Sequence, residues 1–334
     1  MAKNVRLIDI AKALGVSTVT VSNALTNKPG VSDKLRGEII NLAKEMEYDH
    51  PNLTGKGHKQ GGKNIGIIVS DKYISKNTSF YWELYQHVVV QATQMDCFTI
   101  LEVLSMEDER NLVYPKVLRE KVDGFIIVGQ LKKKYLDMLE ENSRIPYLFL
   151  DYYGQKPDQD YIVSDSYYGM YLMTNYLFDM GHKDIAFVGN RLATSSITDR
   201  YFGYAKSLLE HGVKIREDWL LNDRDNETGD ILINLPETMP TAFSCNCDFV
   251  ASRLIKILNA KGYRVPEDIS VVGFDNFIFN GLSDVEITTY EVNVKEMARI
   301  SIESILGKII SNYKCGRRIV GGKMIIKESV KDIS

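Results

Sequence analysis

Over the first fifty residues the apolar positions recur at helical spacing, and beyond residue 64 they gather into short unbroken runs. In RLIDIAKALG, the residues Leu7, Ile8, Ile10, Ala11 and Leu14 mark one side of a helix that Gly15 ends. Ser17 is a good N-cap for a second helix, in which Val21, Ala24 and Leu25 share a face. The opposite arc carries Val19, Ser22, Asn23 and Thr26, with Thr18 at the helix start. A third helix follows Ser32, with Leu35, Ile39, Leu42, Ala43 and Met46 repeating on one side. Two short helices joined at a glycine and closed by a third predict an all-α helix-turn-helix head over residues 1–49.

From Ile65 the pattern alternates between buried-strand runs and helical stretches. NIGIIVS, FTILEVL, VDGFIIVG, IPYLFLD, IAFVG, PTAFSC and DISVVGFD read as strands, separated by helices such as YFGYAKSLLEHG and FVASRLIKILNAKG. All-apolar strands alternating with helices predict parallel sheets covered on both faces. So many strands suit an α/β body of two doubly wound lobes better than one overgrown sheet. No GxGxxG follows the first strand and no GxxxxGK[ST] occurs, so neither a dinucleotide nor a nucleoside-triphosphate site is supported.

Ligands of open parallel sheets sit beyond the carboxyl ends of the strands. Asp71, Asp151, Asp248 and Asp275 all fall there, with Phe80 and Tyr81 after the first strand and Ser196 and Arg200 after IAFVGN. Carboxylates accept paired hydroxyls, a guanidinium donates to ring oxygens, and an aromatic face covers the C–H side of a sugar. For each aspartate taken singly, a helix N-cap is the plainer account.

Charge adds a direction. Residues 1–63 hold 10 Lys/Arg against 6 Asp/Glu, and the remainder 31 against 38, so a +4 head precedes a −7 body. A basic head expects an anionic partner. Its second helix displays small hydroxyls, methyls and an amide. Asn pairs with adenine, and Thr or Val methyls meet thymine methyls in a major groove. An ordinary three-helix module with a polar face is the structural alternative. The N-terminus lacks a secretory apolar core and no apolar run reaches bilayer length, so a cytoplasmic chain without membrane contact is expected. Cys97, Cys245, Cys247 and Cys315 form no CxxC pair; reduced thiols are expected, with no metal and no cofactor.

The run LIDIAKALGVSTVTVSNALTNKPGVSDKLRGEIINLAKEMEYDHPN resembles the DNA-binding head of the lactose-repressor (LacI/GalR) family. The resemblance implies that Thr18, Val19 and Asn23 read bases while Thr20 and Ser22 hold the backbone. Asn23 stands where the family has a basic residue, so operator preference is expected to differ. The body resembles the same family through NIGIIVSD, VDGFIIVG, IPYLFLD, GHKDIAFVGN, PTAF, VPEDISVVGFD and KESV. That implies an effector domain of periplasmic-binding-protein type over residues 65–334, with an N-lobe of about 65–162 and 292–322 and a C-lobe of about 163–291 and 323–334. It also implies effector contacts from Phe80, Tyr81, Asp151, Ser196, Arg200 and Asp275.

Two departures fall near the C-lobe pocket. Cys247 occupies a position where the family often has a ligand-contacting Asn, and the helix expected between Gly229 and Pro240 is short and broken by Pro236. The chain stops soon after its last strand without a heptad tail, so a homodimer is expected rather than a coiled-coil tetramer. The expected function is a repressor whose affinity for double-stranded operator DNA is set by a small sugar. A purine-type corepressor or a phosphoprotein partner is the alternative. A transport protein would need an export signal and no head. An enzyme would need a nucleophile–base pair, whereas the five histidines are scattered.

Residues 50–64, HPNLTGKGHKQGGKN, take the place of the family's hinge, which forms a helix on DNA and wedges a leucine into the minor groove. Here Gly55 and Lys56 replace Ala and Arg, and the wedge position falls on His58, or on Gly57 if the register slips by one. Lys56, Lys59 and Lys63 can still track phosphates. Gly55 and Gly57 together oppose helix formation by roughly 2 kcal/mol, about thirtyfold in affinity if folding is coupled to binding. A Gly55→Ala, Gly57→Ala double variant should therefore bind operator more tightly in a mobility-shift titration. Unchanged or weaker binding would count against a hinge that folds on DNA.

Overall fold

The computed structural model describes residues 5, 7–25, 30–46, 48, 62–74, 79–119, 122–224, 231–277 and 284–334. The expected DNA contacts Lys56 and His58, and most of the hinge, lie outside the described residues. The chain divides into two compact units, Met1–Gly62 and Lys63–Ser334.

In the first unit, helices α1 (Leu7–Leu14), α2 (Thr18–Leu25) and α3 (Asp33–Glu45) enclose Ile10, Ala11, Val21, Ala24, Leu25, Ile39 and Ala43. Ser17 caps α2, its Oγ accepting the Thr20 N–H at 3.0 Å. At the other end, the Arg36 guanidinium from α3 donates to the Asn23 and Ala24 carbonyls at 3.1 and 2.9 Å. Those carbonyls have no partner within α2, so Arg36 closes the helix and fixes its setting on α3.

The second unit opens with β1 (Asn64–Ser70), α4 (Asp71–Ile74), α5 (Phe80–Gln94), β2 (Phe98–Leu104), α6 (Met106–Arg110), β3 (Gly124–Val128), α7 (Lys133–Asn142), β4 (Tyr147–Leu150) and β5 (Tyr161–Ser164). The chain then crosses to α8 (Ser166–Asp179), β6 (Ile185–Val188), α9 (Ser195–Glu210), β7 (Leu220–Leu221), β8 (Ala242–Cys245), α10 (Asp248–Ala260), β9 (Ser270–Val272) and β10 (Thr289–Glu291). It returns through α11 (Val294–Ser311) and β11 (Arg317–Val320), and crosses again to β12 (Lys323–Ile325). The first sheet has the order β11-β5-β4-β3-β1-β2 and the second β7-β6-β8-β9, all pairs parallel; β10 and β12 form a small antiparallel ribbon between the crossings.

Strand alternation builds the layers. Ile65, Ile67 and Val69 of β1 face the α5 and α11 side, whereas Ile68 faces the side of α7 with Phe125 and Ile127. In the second sheet Ile185 and Phe187 pack with α8 and α9, and Ala186 and Val188 with α10. Not every strand is enclosed: β2 lies at the sheet edge and leaves Phe98, Ile100 and Val103 exposed. The helix expected between Gly229 and Pro240 is absent among the described residues 231–241, which run without regular structure. Pro236 and Pro240 deny that segment amide donors, and its Thr238 carbonyl instead accepts the Trp219 indole N–H at 2.9 Å.

Helices α8 and α9 approach at backbone distance. A Cβ on Gly203 of α9 would lie 2.1 Å from the Tyr167 carbonyl oxygen and 2.8 Å from the Tyr171 amide. A Gly203→Ala variant must push the helices apart, at a cost of about 2 kcal/mol. Its melting temperature should fall by roughly 5 °C, read by circular dichroism. A variant that melts with the parent would show that this approach is not tight.

Candidate functional site

On the head, Thr18 and Val19 project from the start of α2, with Val19 66% exposed, while Ser22 and Asn23 are half-buried. Thr20 is tied into the cap, its Oγ1 2.8 Å from Ser17 Oγ. No lysine or arginine stands on α2, so this helix offers methyl, hydroxyl and amide chemistry to a groove.

In the body, the carboxyl ends of both sheets bring the expected residues together. Asp151 follows β4 in the left-handed region (φ +59°) and is 4% exposed. Its Oδ2 accepts the Tyr81 hydroxyl at 2.8 Å, and its Oδ1 is buried without a hydrogen bond. Phe80 packs edge-on against Tyr81 at 5.4 Å between centroids, and Tyr73 lies 4.4 Å away on the other side. Asp275 follows β9, also at positive φ (+96°). Such conformations cost energy in a non-glycine residue and cluster where a side chain must be aimed.

Arg200 on α9 meets Asp275 as a contact ion pair, Nη2 to Oδ1 3.1 Å, without hydrogen-bond alignment. Its Nη1 donates to the Asn246 carbonyl at 2.7 Å, its Nε to Ser166 Oγ at 3.3 Å, and its plane lies 3.9 Å over the Phe274 ring. Ser196 Oγ sits 3.0 Å from the Thr194 hydroxyl at the start of the same helix. Asp248 is fully enclosed beside this group, its N–H donating to the Phe274 carbonyl at 2.8 Å and its Oδ1 against Gly273; burial and then the charge of Asp275 raise its carboxyl. Away from the crossings, hydrogen bonds bridge the lobes through side chains. The Ser195 N–H donates to Gln130 Oε1 at 2.9 Å, and the Tyr153 hydroxyl donates to Asp199 Oδ1 at 2.6 Å.

Several cleft residues escaped the sequence reading. Tyr73 sits on the single-turn helix α4, and its hydroxyl donates to the Gln130 carbonyl at 2.9 Å. Asp223 and Arg224 follow β7, a strand of two residues that leaves no apolar run to mark its end. Asp223 is fully buried and accepts from the Asn190 N–H (2.7 Å), Asn246 Nδ2 (3.0 Å) and Arg224 Nε (2.9 Å). Burial opposes its ionisation, but those donors hold its carboxyl below the usual range. Burial pushes Asp151 up to about 6 against the pull of Arg200 and the Tyr81 hydroxyl, and it also raises Asp275. The Cys247 thiol, at the N-cap of α10, is pushed up to about 12 by burial and by Asp275. It is a neutral thiol rather than a nucleophile. Among the described residues no group of three or more His, Cys, Asp and Glu could hold a metal ion, and no helix is long and apolar enough to cross a membrane.

A helix-turn-helix head and a two-lobed body with polar side chains converging between its lobes define a ligand-responsive DNA-binding regulator. Residues 6–52 match the bacterial regulatory proteins of the lacI family, and residues 174–330 match the periplasmic binding protein-like domain. The chain belongs to the lacI family and is a DNA-binding repressor of that family. It is similar to the HTH-type transcriptional repressor PurR of Pasteurella multocida, 28% identical over 338 residues, covering 97% of this chain and 98% of that one. Among solved structures it shares its fold with a CelR–cellobiose complex (TM-score 0.69, 19% identity, 97% of this chain and 99% of that one). It does so also with the lac repressor dimer bound to operator and the anti-inducer ONPF (TM-score 0.67, 21% identity, 98% and 100%). The curated relatives are transcriptional repressors, not enzymes.

The raised Asp151 carboxyl has a consequence for stability. The folded state holds this proton more tightly than the unfolded chain, so the contribution is fully present below about pH 4 and is lost as pH rises through about 6. Asp151→Asn cannot ionise and keeps an acceptor for Tyr81. Without ligand it should melt above the parent at about pH 7.5, with the difference vanishing near pH 4. A variant less stable at neutral pH, with the same pH slope as the parent, would contradict this.

Proposed function

We propose that this repressor takes a small polyhydroxylated carbohydrate between its lobes, and that lobe closure around it changes operator affinity. The carrying observation is a buried carboxylate on each lobe: Asp151, whose Oδ1 receives no hydrogen bond, and Asp275, whose Oδ1 meets only the Arg200 guanidinium at 3.1 Å. An unmet buried carboxylate oxygen is costly, and a ligand with several hydroxyls satisfies Asp151 on one wall while bonding to the Asp275–Arg200 pair on the other. Phe80, Tyr81, Ser196 and Arg200 complete the site. Thr18, Val19 and Asn23 read bases, Thr20 and Ser22 hold the backbone, and residues 50–64 act as the hinge. The exposed apolar edge of β2 supports a homodimer, since such an edge is otherwise a liability in solution.

A purine-type corepressor is the second reading. It is favoured by the adjoining Tyr73 and Tyr81 rings, tilted 38° to each other, which offer aromatic surface to a base, and by relatives that carry the name PurR. A ligand shifts the regulatory equilibrium only as far as it prefers one state.

Thermal-shift measurements on the full chain separate the two. At about a hundred times its dissociation constant, the effector should raise the melting temperature by roughly 5 °C. It should also alter operator affinity in the same preparation. A response to saccharides but not to purine bases and nucleosides supports the carbohydrate; the reverse pattern overturns it.

A further inference from the structure

Arg224 from the C-lobe stands at one end of the cleft, and Lys72 of the N-lobe lies within its field, with Lys132 beside Lys72. Its Nε and Nη2 both donate to Asp223 Oδ2, and Asp223 is anchored from behind by Asn190 and Asn246. The carboxylate is fully buried while the guanidinium reaches out toward the rim, beside Tyr73 and Cys247. Lys72 on α4 places its Nζ 4.7 Å from the centroid of the Tyr73 ring. Among the described residues it forms no ion pair. Lys132, just after β3, shares its field with Lys72. The acids nearby are Asp71 and Glu109; Glu109 is 2% exposed and accepts the backbone N–H of Lys132. At this end the carboxylates Asp223, Glu109 and Asp71 lie inward, Asp71 with a buried Oδ1 that receives no hydrogen bond, and the cations are outermost.

This arrangement matters for closure. Bringing the lobes together brings Lys72 and Lys132 toward Arg224, and like charges in a partly dry crevice repel more strongly than in water. An anion between them converts that repulsion into attraction on both sides, so it favours the closed state selectively, as an effector must. Asp223 takes the Nε and Nη2 edge of Arg224 and so orients the guanidinium, leaving its Nη1 side for an oxyanion. The neighbouring neutral Cys247 adds no opposing charge.

We propose that the effector carries an oxyanion group, a phosphate or a carboxylate, seated between Lys72 and Arg224 while its hydroxyl-bearing part faces Asp151 and Asp275. This rests on the carbohydrate reading of the cleft and makes the effector class an acidic sugar.

The test is calorimetric titration of the full chain with pentoses and hexoses, each offered as the neutral sugar, its phosphate and its uronate, with inorganic phosphate alone as a further probe. One acidic form should bind at least about tenfold more tightly than its neutral parent, with free phosphate far weaker than either. Which acid wins distinguishes phosphate from carboxylate. Lys72→Gln, a rim substitution that leaves no buried charge behind, should reduce that preference about tenfold and lower its salt dependence. Arg224→Gln should reduce it further, although it exposes Asp223 to the loss of its partner. Equal or tighter binding of the neutral parent overturns the oxyanion subsite and leaves the carbohydrate reading standing. If no sugar binds in any form but a purine nucleotide binds more tightly than its nucleoside, the carbohydrate reading falls and the oxyanion subsite is supported.

Discussion

The cleft is organised around one guanidinium. Arg200 is 5% exposed, and its donors and its face are taken up by Asp275 after β9, Asn246 after β8, Ser166 at the start of α8 and the Phe274 ring. A buried charge is tolerable only when paired and hydrogen-bonded, and here the partners come from three separate pieces of chain. Arg200 is therefore at once an expected effector contact and the tie that gathers the C-lobe strand ends. Removing it would leave Asp275 buried without its counter-charge, so its loss would unsettle the wall as well as the ligand.

How much of this could be read beforehand depended on the length of the apolar runs. NIGIIVS and YLFL are long enough to announce a strand, and the residues that follow them, Asp71 and Asp151, inherit a place at the cleft. Arg200 was legible because it sits one turn into a well-formed amphipathic helix after IAFV. Arg224 was not, because β7 contributes only two residues and the fold supplies its position through pairing with β6. Tyr73 was missed for a similar reason: a single helical turn has no periodicity to detect. The half-exposed β2 shows the converse, since FTILEVL is apolar enough for a buried strand but ends a sheet. Sequence patterns describe what a segment can bury, whereas sheet order decides whether anything covers it.

The two lobes already touch through Tyr153 and Asp199 and through Gln130 and Ser195. These two contacts are polar, and they sit beside carboxylates whose burial is itself unfavourable, as the raised Asp151 and Asp275 show. Closure in this molecule is thus a balance of small opposing terms. Functional sites commonly retain such local cost, because a cleft satisfied without its ligand would have nothing to gain from binding it.

The backbone contact between α8 and α9 bears on how a signal could travel. Helix α8 begins two residues after the chain leaves β5, and Gly203 lets α9, which carries Arg200, lie directly against it. The crossing segment and the arginine helix are therefore parts of one solid piece. Any rotation of the C-lobe is delivered to Ser164–Ser166 without slack, so the change in direction must be absorbed in a handful of backbone dihedrals there and at the two companion crossings. A glycine chosen for close packing thus acts as a gear tooth: it does not touch the ligand, yet it sets how faithfully displacement at the pocket becomes displacement at the connection to the other lobe.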